Sequence, residues 1–248
     1  MRMKKIIYNI ASLLLLAVFA TSCGMDNYDA PESKLYGQIL YKDAGGVEHP
    51  LQVKGTGEAI KLSLYQYGWQ LSDGITLYAD QDAKFEAILF DGDYHMITNN
   101  NNGPWKTVQI SEVKKDTVDF TLKGSTEVKI YVTPYFMIEN AAISLNGTNL
   151  SATCAVKQII SDAAINTQSV FISSTRFVDE QTNFARMDYS EDKSAGNKNF
   201  SFAITDASQL KSLENAKNRT GKVYARIGIK AEGADQFIYS EVFELAVK

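Results

Sequence analysis

Hydrophobic and polar positions alternate along most of this chain, beginning at Leu35. In the first half the alternation defines five segments, at residues 35–41, 60–64, 85–89, 94–96 and 118–122. A period of two sends successive side chains to opposite faces of a β-strand, so each predicted strand turns one face toward a core. Glycine and aspartate turns separate the segments, for example at 44–46, 72–74 and 91–93. Short strands at this spacing predict an antiparallel β-sandwich.

A second set of alternating segments follows a polar break at residues 123–125. It comprises residues 128–132, 152–156, 170–172, 200–204 and a closing pair at 223–229 and 237–247. The closing pair predicts a hairpin in which Gly233 adopts the positive φ of a tight connection. The chain is therefore predicted to be all-β, with two β-sandwiches in tandem at residues 34–123 and 125–248.

One short helix interrupts this pattern at residues 206–217, "DASQLKSLENAK". Asp206 or Ser208 is the predicted N-cap, because both side chains can accept hydrogen bonds from the first free amides of a helix. Leu210 and Leu213 are predicted to share the buried face. We expect the helix to cross between two sheets.

The first 23 residues differ from the rest of the chain. Basic residues at positions 2, 4 and 5 precede an apolar run over residues 6–20, which has the length of a signal-peptide core and is shorter than a membrane span. The run ends in "ATSC", which resembles the lipobox of bacterial lipoproteins. The resemblance implies a lipoprotein signal peptide at residues 1–22, and a Cys23 that is acylated and anchors the mature chain to a membrane. The alternative is an ordinary secretory signal with an incidental cysteine.

Residues 23–33 are predicted to form a flexible tether, because "GMDNYDAPES" is polar and acidic and has no hydrophobic period. Asp26 and Asp29 resemble the short acidic stretch that follows the cysteine in Bacteroidetes lipoproteins carried to the cell surface. The resemblance implies a protein that is lipid-anchored in the outer membrane and faces the cell exterior.

Composition and charge narrow the classes of function. The chain is 45% hydrophobic and 22% charged, with a net charge of -4, and no cluster of basic residues marks a nucleic-acid binder. Once Cys23 is acylated, Cys154 is the one remaining cysteine, which leaves no disulfide framework. Cys154 alternates with Ala152 and Val156, so we expect a buried thiol that acts as a small apolar residue.

The first predicted sandwich resembles the carboxypeptidase-regulatory-like domain, which has a transthyretin-like fold. Residues 37–39, "GQI", match its early G-x-[IV] strand, and its late F-x-x-x-[LF]-x-x-G-x-Y hairpin is matched by Phe85, Leu89, Gly92 and Tyr94. With the lipobox, "DNYDAP" and "VYARIGIKAEGADQFIYSEVFEL", these residues resemble a family of Bacteroidetes surface lipoproteins of unknown function. The resemblance implies an immunoglobulin-like second domain and an association with Sus-like (starch-utilisation-like) polysaccharide uptake systems, although fold alone licenses no function.

The sequence contains no recognisable catalytic motif. His49 and His95 are the two histidines, and neither H-E-x-x-H nor G-x-S-x-G spacing occurs. His95 stands between apolar neighbours of one alternating strand and is interpreted as outward-facing.

Two carboxylate pairs, Asp80 with Asp82 and Asp91 with Asp93, resemble the acid pairs that glycosidases use. Both pairs stand at turn signals, which favours a structural role, since aspartate side chains accept hydrogen bonds from nearby backbone amides. A weak calcium site at these loops is the alternative. We predict a protein that is not an enzyme and that has no catalytic residues, no metal site and no cofactor.

Aromatic residues of the first domain form the candidate glycan-binding site. Tyr65, Tyr67 and Trp69 alternate and share a face if the strand is continuous, and flat rings pack well against the apolar faces of sugars. Trp105 follows an asparagine-rich loop in which Asn101 and Asn102 supply amides for sugar hydroxyls. The alternatives are that these aromatics are buried in the sandwich, or that a bulge at Gly68 changes which side chains share a face.

Three functions are compatible with these patterns. The prediction is a non-catalytic, glycan-binding or accessory surface lipoprotein of a Sus-like uptake complex. Its expected partners are the membrane, through the lipid anchor, a polysaccharide, and a Sus-like transporter with its lid protein. The alternatives are a scaffold that docks such partners and a fimbrillin-like adhesion subunit. The resemblance to fimbrillin precursors implies a basic cleavage site ahead of the first strand, whereas the first basic residue after Cys23 is Lys34, directly at that strand.

Overall fold

The computed structural model describes residues 29–68, 74–98, 103–106 and 117–247. Within these ranges the chain is all-β apart from one α-helix, in two domains, which confirms the predicted fold class. No helix among these residues has the length and apolar character needed to cross a membrane.

The first domain contains two sheets that pack face to face and a separate short sheet of two strands. Its strands are β1 (Ser33–Lys42), β2 (Glu48–Pro50), β3 (Lys61–Gln66), β4 (Ile75–Tyr78), β5 (Lys84–Leu89), β6 (Gly92–Thr98), β7 (Trp105–Lys106), β8 (Thr117–Leu122), β9 (Ser125–Tyr131) and β10 (Thr133–Pro134). In sheet A, β1 pairs with β2, β5 and β9, and in sheet B the order is β4-β3-β6-β8. Between the sheets lie the inward members of the alternating pattern, including Leu35, Ile39, Leu62, Leu64 and Met96.

Gly37 has a packing role in sheet A. It lies opposite Phe85 of β5, and a Cβ atom at position 37 would lie 2.5 Å from Cζ of Phe85 and 2.0 Å from the backbone oxygen of Val128. A side chain does not fit at this distance, so only glycine permits the buried Phe85 ring to pack over the strand. The contact explains why the early glycine and the late phenylalanine occur together in this sequence.

The boundary between the domains lies later than predicted. We expected the second sandwich to begin at residue 125, after the polar break. Instead β9 pairs in parallel with β1, from Lys34 opposite Ser125 to Leu40 opposite Tyr131. The break is the turn at Gly124, whose φ is 65°, and it carries the chain from sheet B to sheet A of the same domain. Strand alternation alone does not reveal which sheet a strand joins, and this is why the prediction failed.

The second domain also contains two sheets and the single helix. Its elements are β11 (Phe136–Asn146), β12 (Asn149–Gln158), β13 (Ile165–Ser173), β14 (Ala185–Tyr189), β15 (Gly196–Ala203), α1 (Ala207–Arg219), β16 (Lys222–Ala231), β17 (Ile238–Tyr239) and β18 (Phe243–Ala246). One sheet has the order β11-β12-β15, and in the other β14-β13-β16 is extended by β17 and β18, which both pair with β16. The predicted closing hairpin is confirmed, with Gly233 at φ 76°.

Strand β11 was not predicted. Its register against β12 shifts between Glu139 and Ala142, and Asn140 adopts a positive φ of 52°. A bulge of this kind inserts residues into one strand and breaks the period of two on which the sequence analysis depended.

The helix forms where it was predicted and connects β15 of one sheet to β16 of the other. Asp206 is the N-cap, and its carboxylate accepts hydrogen bonds from the backbone amides of Ser208 and Gln209. The predicted inner face is wrong in one position, because Leu210 is 37% exposed and the buried pair is Leu213 and Ala216. Cys154 is buried as predicted, and burial raises the pKa of its thiol to about 11.

A polar joint connects the two domains. We use this name for the contacts between residues 51–56 of the first domain and a set of buried second-domain groups. Arg226 is fully buried, and its guanidinium donates to the carbonyl oxygens of Val53, at 3.1 Å, and Ser240, at 2.9 Å, and to Oε1 of Gln52, at 3.3 Å. Burial lowers the pKa of Arg226, and three groups oppose that shift, namely Tyr239, Asp179 and Asp82.

Further bonds complete the joint. The hydroxyl of Thr56 donates to the buried carboxylate of Asp179 at 2.6 Å, and Lys54 forms an ion pair with Glu180 at 3.1 Å. Backbone N–H of Tyr239 donates to the carbonyl oxygen of Gln52 at 2.9 Å. These bonds satisfy buried polar groups of both domains across the boundary.

Three aromatic residues lie next to the joint on the same side of the β13–β16 sheet. They form what we call the covered aromatic cluster: Phe171, Phe237 and Tyr239, each at most 2% exposed. Phe171 and Phe237 meet edge to face at 5.6 Å, and the guanidinium of Arg226 lies 4.4 Å from the Tyr239 ring centroid. Burial raises the pKa of Tyr239.

Candidate functional site

The candidate site lies on the outer face of sheet B. Leu62 and Leu64 of β3 point into the core. Because side chains alternate along a strand, Ser63 and Tyr65 point outward. Strand pairing places Tyr65 opposite His95 of β6, and His95 opposite Asp119 of β8. Three strands distant in sequence thus contribute neighbouring side chains to one surface.

The three rings at this surface form what we call the aromatic platform: Tyr65, Tyr67 and His95. The imidazole of His95 stacks on Tyr65 at 4.9 Å between ring centroids, with an angle of 11° between the planes. Tyr67 contacts the same imidazole at 5.0 Å with an angle of 46°. His95 therefore faces outward, as interpreted from the sequence, and connects the two tyrosines.

The two tyrosines differ in accessibility. Tyr67 is 55% exposed, whereas Tyr65 is partly buried. A Cβ atom at Gly74 would lie 2.8 Å from Cζ of Tyr65, so the ring packs tightly on the backbone there. Tyr65 thus supports the platform, and Tyr67 offers the accessible ring.

Hydrogen-bonding groups border the platform. The Tyr67 hydroxyl donates to Oδ1 of Asp119 at 3.2 Å, and the hydroxyl of Thr121 donates to Oδ1 of Asp93 at 2.6 Å. These side chains line a shallow cleft of about 370 Å³, together with Tyr94 and Phe120. An exposed ring beside oriented carboxylates and hydroxyls can pack on the apolar face of a sugar and bond its hydroxyl groups.

The structure corrects the prediction for Trp105. Its side chain is only 2% exposed, and a Cβ atom at Gly103 would lie 2.3 Å from the indole ring. Trp105 belongs to β7, which pairs with β10 directly before the second domain, where Pro134 lies opposite it. The ring is part of the core at the domain boundary, so its faces are not available to a glycan.

The other predicted residues divide into two groups. Tyr65 and Tyr67 are brought together, although β3 ends at Gln66 and Gly68 adopts a turn conformation with φ 84°. Cys23, Trp69, Asn101 and Asn102 lie outside the described residues. His95, Asp93 and Asp119 were not predicted to belong to the site. Their outward direction follows from alternation, but their proximity to Tyr67 depends on the strand order.

Two of the carboxylates that resembled glycosidase pairs, Asp80 and Asp91, accept hydrogen bonds that hold turns and strand ends. Oδ1 of Asp80 accepts the backbone amides of Asp82 and Lys84, each at 2.9 Å. Asp91 accepts a hydrogen bond from the Ser33 hydroxyl, which connects β1 to the turn before β6. These contacts agree with the structural role predicted from the turn signals.

Other groups capable of metal or acid–base chemistry are dispersed. His49 is paired with Asp43 at 2.9 Å, far along the chain from His95. The described ranges contain no group of three or more histidine, cysteine, aspartate or glutamate side chains arranged to hold a metal ion.

Comparisons with known proteins identify relatives of both domains. The family described as "Protein of unknown function (DUF3823) N-terminal domain" matches residues 33–133, and "Domain of unknown function (DUF3823_C)" matches residues 136–244. The division between these matches coincides with β10. No protein in a search of curated proteins matches the chain.

Several crystal structures are similar over nearly the whole described chain. A DUF3823 family protein from Parabacteroides merdae has 40% sequence identity and a TM-score of 0.75, covering 88% of this chain and all of that one. A DUF3823 family protein from Bacteroides ovatus has 23% identity and a TM-score of 0.71, covering 87% and 100%. A protein from Bacteroides uniformis described as "a putative carbohydrate binding protein" has 18% identity and a TM-score of 0.67, covering 88% and 100%.

Proposed function

The chain belongs to the DUF3823 family, and from that premise we propose that it is a non-catalytic, lipid-anchored surface protein that binds glycans for a Sus-like polysaccharide uptake complex. The observation that carries the proposal is the aromatic platform. A ring that is 55% exposed and held by contacts to His95 and Asp119 loses little conformational freedom when it packs on a sugar.

Two further observations support glycan binding. Fixed acceptor oxygens lie beside the ring, so a sugar packed on Tyr67 has partners for its hydroxyl groups at Asp119 and Asp93. The carbohydrate-binding description of the Bacteroides uniformis relative concerns a protein of the same fold. That likeness agrees with the proposal, and the side chains of the aromatic platform in this chain carry it.

The non-catalytic part of the proposal is supported by what the carboxylates do. Asp80 and Asp91 accept hydrogen bonds within the first domain that hold turns and strand ends. Asp119 and Asp93 accept hydroxyl donors from Tyr67 and Thr121. Because these carboxylates act as hydrogen-bond acceptors, the function that best fits the platform is glycan binding.

The location of the protein is proposed from the leader. Cys23 is acylated in this proposal, and nine residues separate it from Ser33, where β1 begins. Nine extended residues span at most about 30 Å, enough to hold the sandwiches away from a bilayer. Metabolic labelling with radioactive palmitate tests the anchor, since Cys23→Ala is expected to abolish incorporation. Protease treatment of intact cells tests the orientation, because a surface-exposed chain is digested and an inward-facing chain is protected.

Affinity electrophoresis tests glycan binding directly. The chain without its leader, residues 24–248, is run in native gels that contain xylan, laminarin, pullulan or galactan. We expect at least one polysaccharide to retard the protein, and Tyr67→Ala to weaken that retardation about tenfold. Phe177→Ala is the matched control, because Phe177 is 57% exposed on the second domain and lies outside the platform. Equal retardation of the Tyr67 and Phe177 variants would contradict a role for the platform.

Co-purification tests the uptake complex. A tagged full-length chain, solubilised in detergent from its native membrane, is expected to bring down an outer-membrane transporter and a lid lipoprotein. If the transporter is recovered but no polysaccharide retards the protein, the scaffold alternative replaces the glycan-binding proposal.

A further inference from the structure

A second groove lies on the first domain, where β4 of sheet B meets β5 of sheet A. It has a volume of about 760 Å³, within the range of about 300–1,000 Å³ that ligand sites occupy. Its walls include Lys34, Tyr36, Tyr78, Asp80, Lys84 and Glu86, and none of its lining residues belongs to the cleft beside the platform.

Two tyrosines line this groove from different sheets. Tyr36 of β1 is 39% exposed, and Tyr78 of β4 is 41% exposed. The neighbouring Glu58 carboxylate raises the pKa of Tyr78. The groove therefore provides two accessible aromatic surfaces.

The polar side chains of the groove are mixed in sign. Lys34 forms an ion pair with Glu86 at 3.0 Å, and Oδ1 of Asp80 is held by two backbone amides. The ammonium of Lys84 forms no ion pair with any described residue, so it is available as a donor. The two positive and two negative side chains cancel, so neither an anionic nor a cationic ligand gains from the net charge.

We propose that the groove between Tyr36 and Tyr78 is a second glycan-binding site, selective for neutral oligosaccharides. A neutral sugar presents apolar ring faces together with hydroxyls that both donate and accept, and this matches two tyrosines surrounded by ammonium and carboxylate groups. The inference rests on the proposed function, because it assigns a second position and a substrate class to the same activity. Two sites on one domain raise the retention of a polymer through effective concentration.

The test compares matched variants of residues 24–248. Tyr36→Ala/Tyr78→Ala alters the groove, Tyr67→Ala alters the platform, and Phe177→Ala is the exposed control on the second domain. Each is titrated calorimetrically with xylan, laminarin, pullulan and galactan as neutral probes and with polygalacturonate as the anionic probe. We expect the groove variant to raise the Kd for at least one neutral probe about tenfold, and polygalacturonate to bind at least tenfold more weakly than that probe.

The possible failures are distinguishable. Loss of all neutral binding in Tyr67→Ala, with wild-type binding in the groove variant, overturns the second site and leaves the proposed function standing. Loss of all neutral binding in the groove variant, with wild-type binding in Tyr67→Ala, supports the groove and contradicts a role for the platform. Binding of polygalacturonate alone, lost in the groove variant, overturns the neutral class. If no probe binds the unaltered chain, both proposals fail.

A single, milder substitution tests the groove even if the double variant does not fold. Lys84→Met keeps the length of an exposed side chain and removes its donor. We expect a twofold to fivefold increase in Kd for the same neutral probe, with an unchanged melting temperature. An unchanged Kd for Lys84→Met and for a folded groove variant overturns the site.

Discussion

The aromatic platform and the covered aromatic cluster make an informative comparison, because both lie on a sheet face turned away from the core between the sheets of its own domain. In the cluster, Phe171, Phe237 and Tyr239 are at most 2% exposed and lie beside the joint. In the platform, Tyr67 remains 55% exposed although it has similar ring neighbours.

The polar groups around the two sets of rings also differ in their burial. Around the cluster, Arg226 makes buried hydrogen bonds to carbonyl groups of both domains. Around the platform, carboxylates and hydroxyls bond one another at the rim of an open cleft. Aromatic rings that the rest of the chain buries stabilise the fold, whereas a ring that remains exposed is accessible to a ligand. The following experiments test this distinction, beginning with the largest expected effect.

Arg226→Ala is expected to destabilise the protein by about 4 kcal/mol, because it leaves buried carbonyl oxygens of Val53 and Ser240 without a donor and opens a cavity. Urea unfolding followed by circular dichroism measures the change, and we expect the single transition to separate into two as the domains lose their coupling. The exposed Arg176→Ala is the control, with an expected change below about 0.5 kcal/mol. A loss under about 1 kcal/mol for Arg226→Ala would show that the joint does not hold the domains together.

Trp105→Ala is expected to destabilise the protein by about 3 kcal/mol, because it empties a buried site beside Gly103 at the domain boundary. Thermal unfolding of the variant, compared with Phe177→Ala as an exposed aromatic control, measures this effect. If Trp105→Ala keeps full stability and instead weakens polysaccharide binding, the assignment of Trp105 to the core is wrong.

Cys154 provides a buried group whose protonation can be tested in the same way. Its pKa is raised from 9.0 to about 11 in the folded chain, so the folded state keeps a proton that the unfolded state loses. The resulting stability is fully present below pH 9 and is lost as the pH rises through 11. We expect the unaltered chain to lose about 2 kcal/mol more than Cys154→Ala between pH 8 and pH 11. Parallel pH profiles of the two proteins in urea unfolding would contradict the buried thiol.

Tyr67→Ala has the smallest expected effect on stability, within about 0.5 kcal/mol, because the ring is exposed and its removal opens no cavity. Thermal unfolding measures the change on the same preparation used for the binding titrations. A large loss of stability would place Tyr67 among the covered rings and remove it from the candidate site.

Much of the fold could be predicted because it depends on local patterns. Alternation located the core residues of β1, β3 and β6, and a capping residue at Asp206 or Ser208 located the start of the helix. Strand β11 was missed because a bulge near Asn140 breaks its period, and Leu210 was misplaced because the helix turns Ala216 inward instead. The candidate site was predicted only in part, since Tyr65 and Tyr67 adjoin in sequence but His95 and Asp119 reach them through strand pairing.

The sequence by itself determined the all-β class, the closing hairpin, the position of the helix and the burial of Cys154, because each depends on residues close together along one strand or turn. Only the tertiary structure decided that β9 joins the first domain, that Trp105 is covered, that Arg226 connects the two domains and that His95 lies between Tyr65 and Tyr67. Those outcomes depend on which strands become neighbours, and a pattern with a period of two is the same for every possible order of strands.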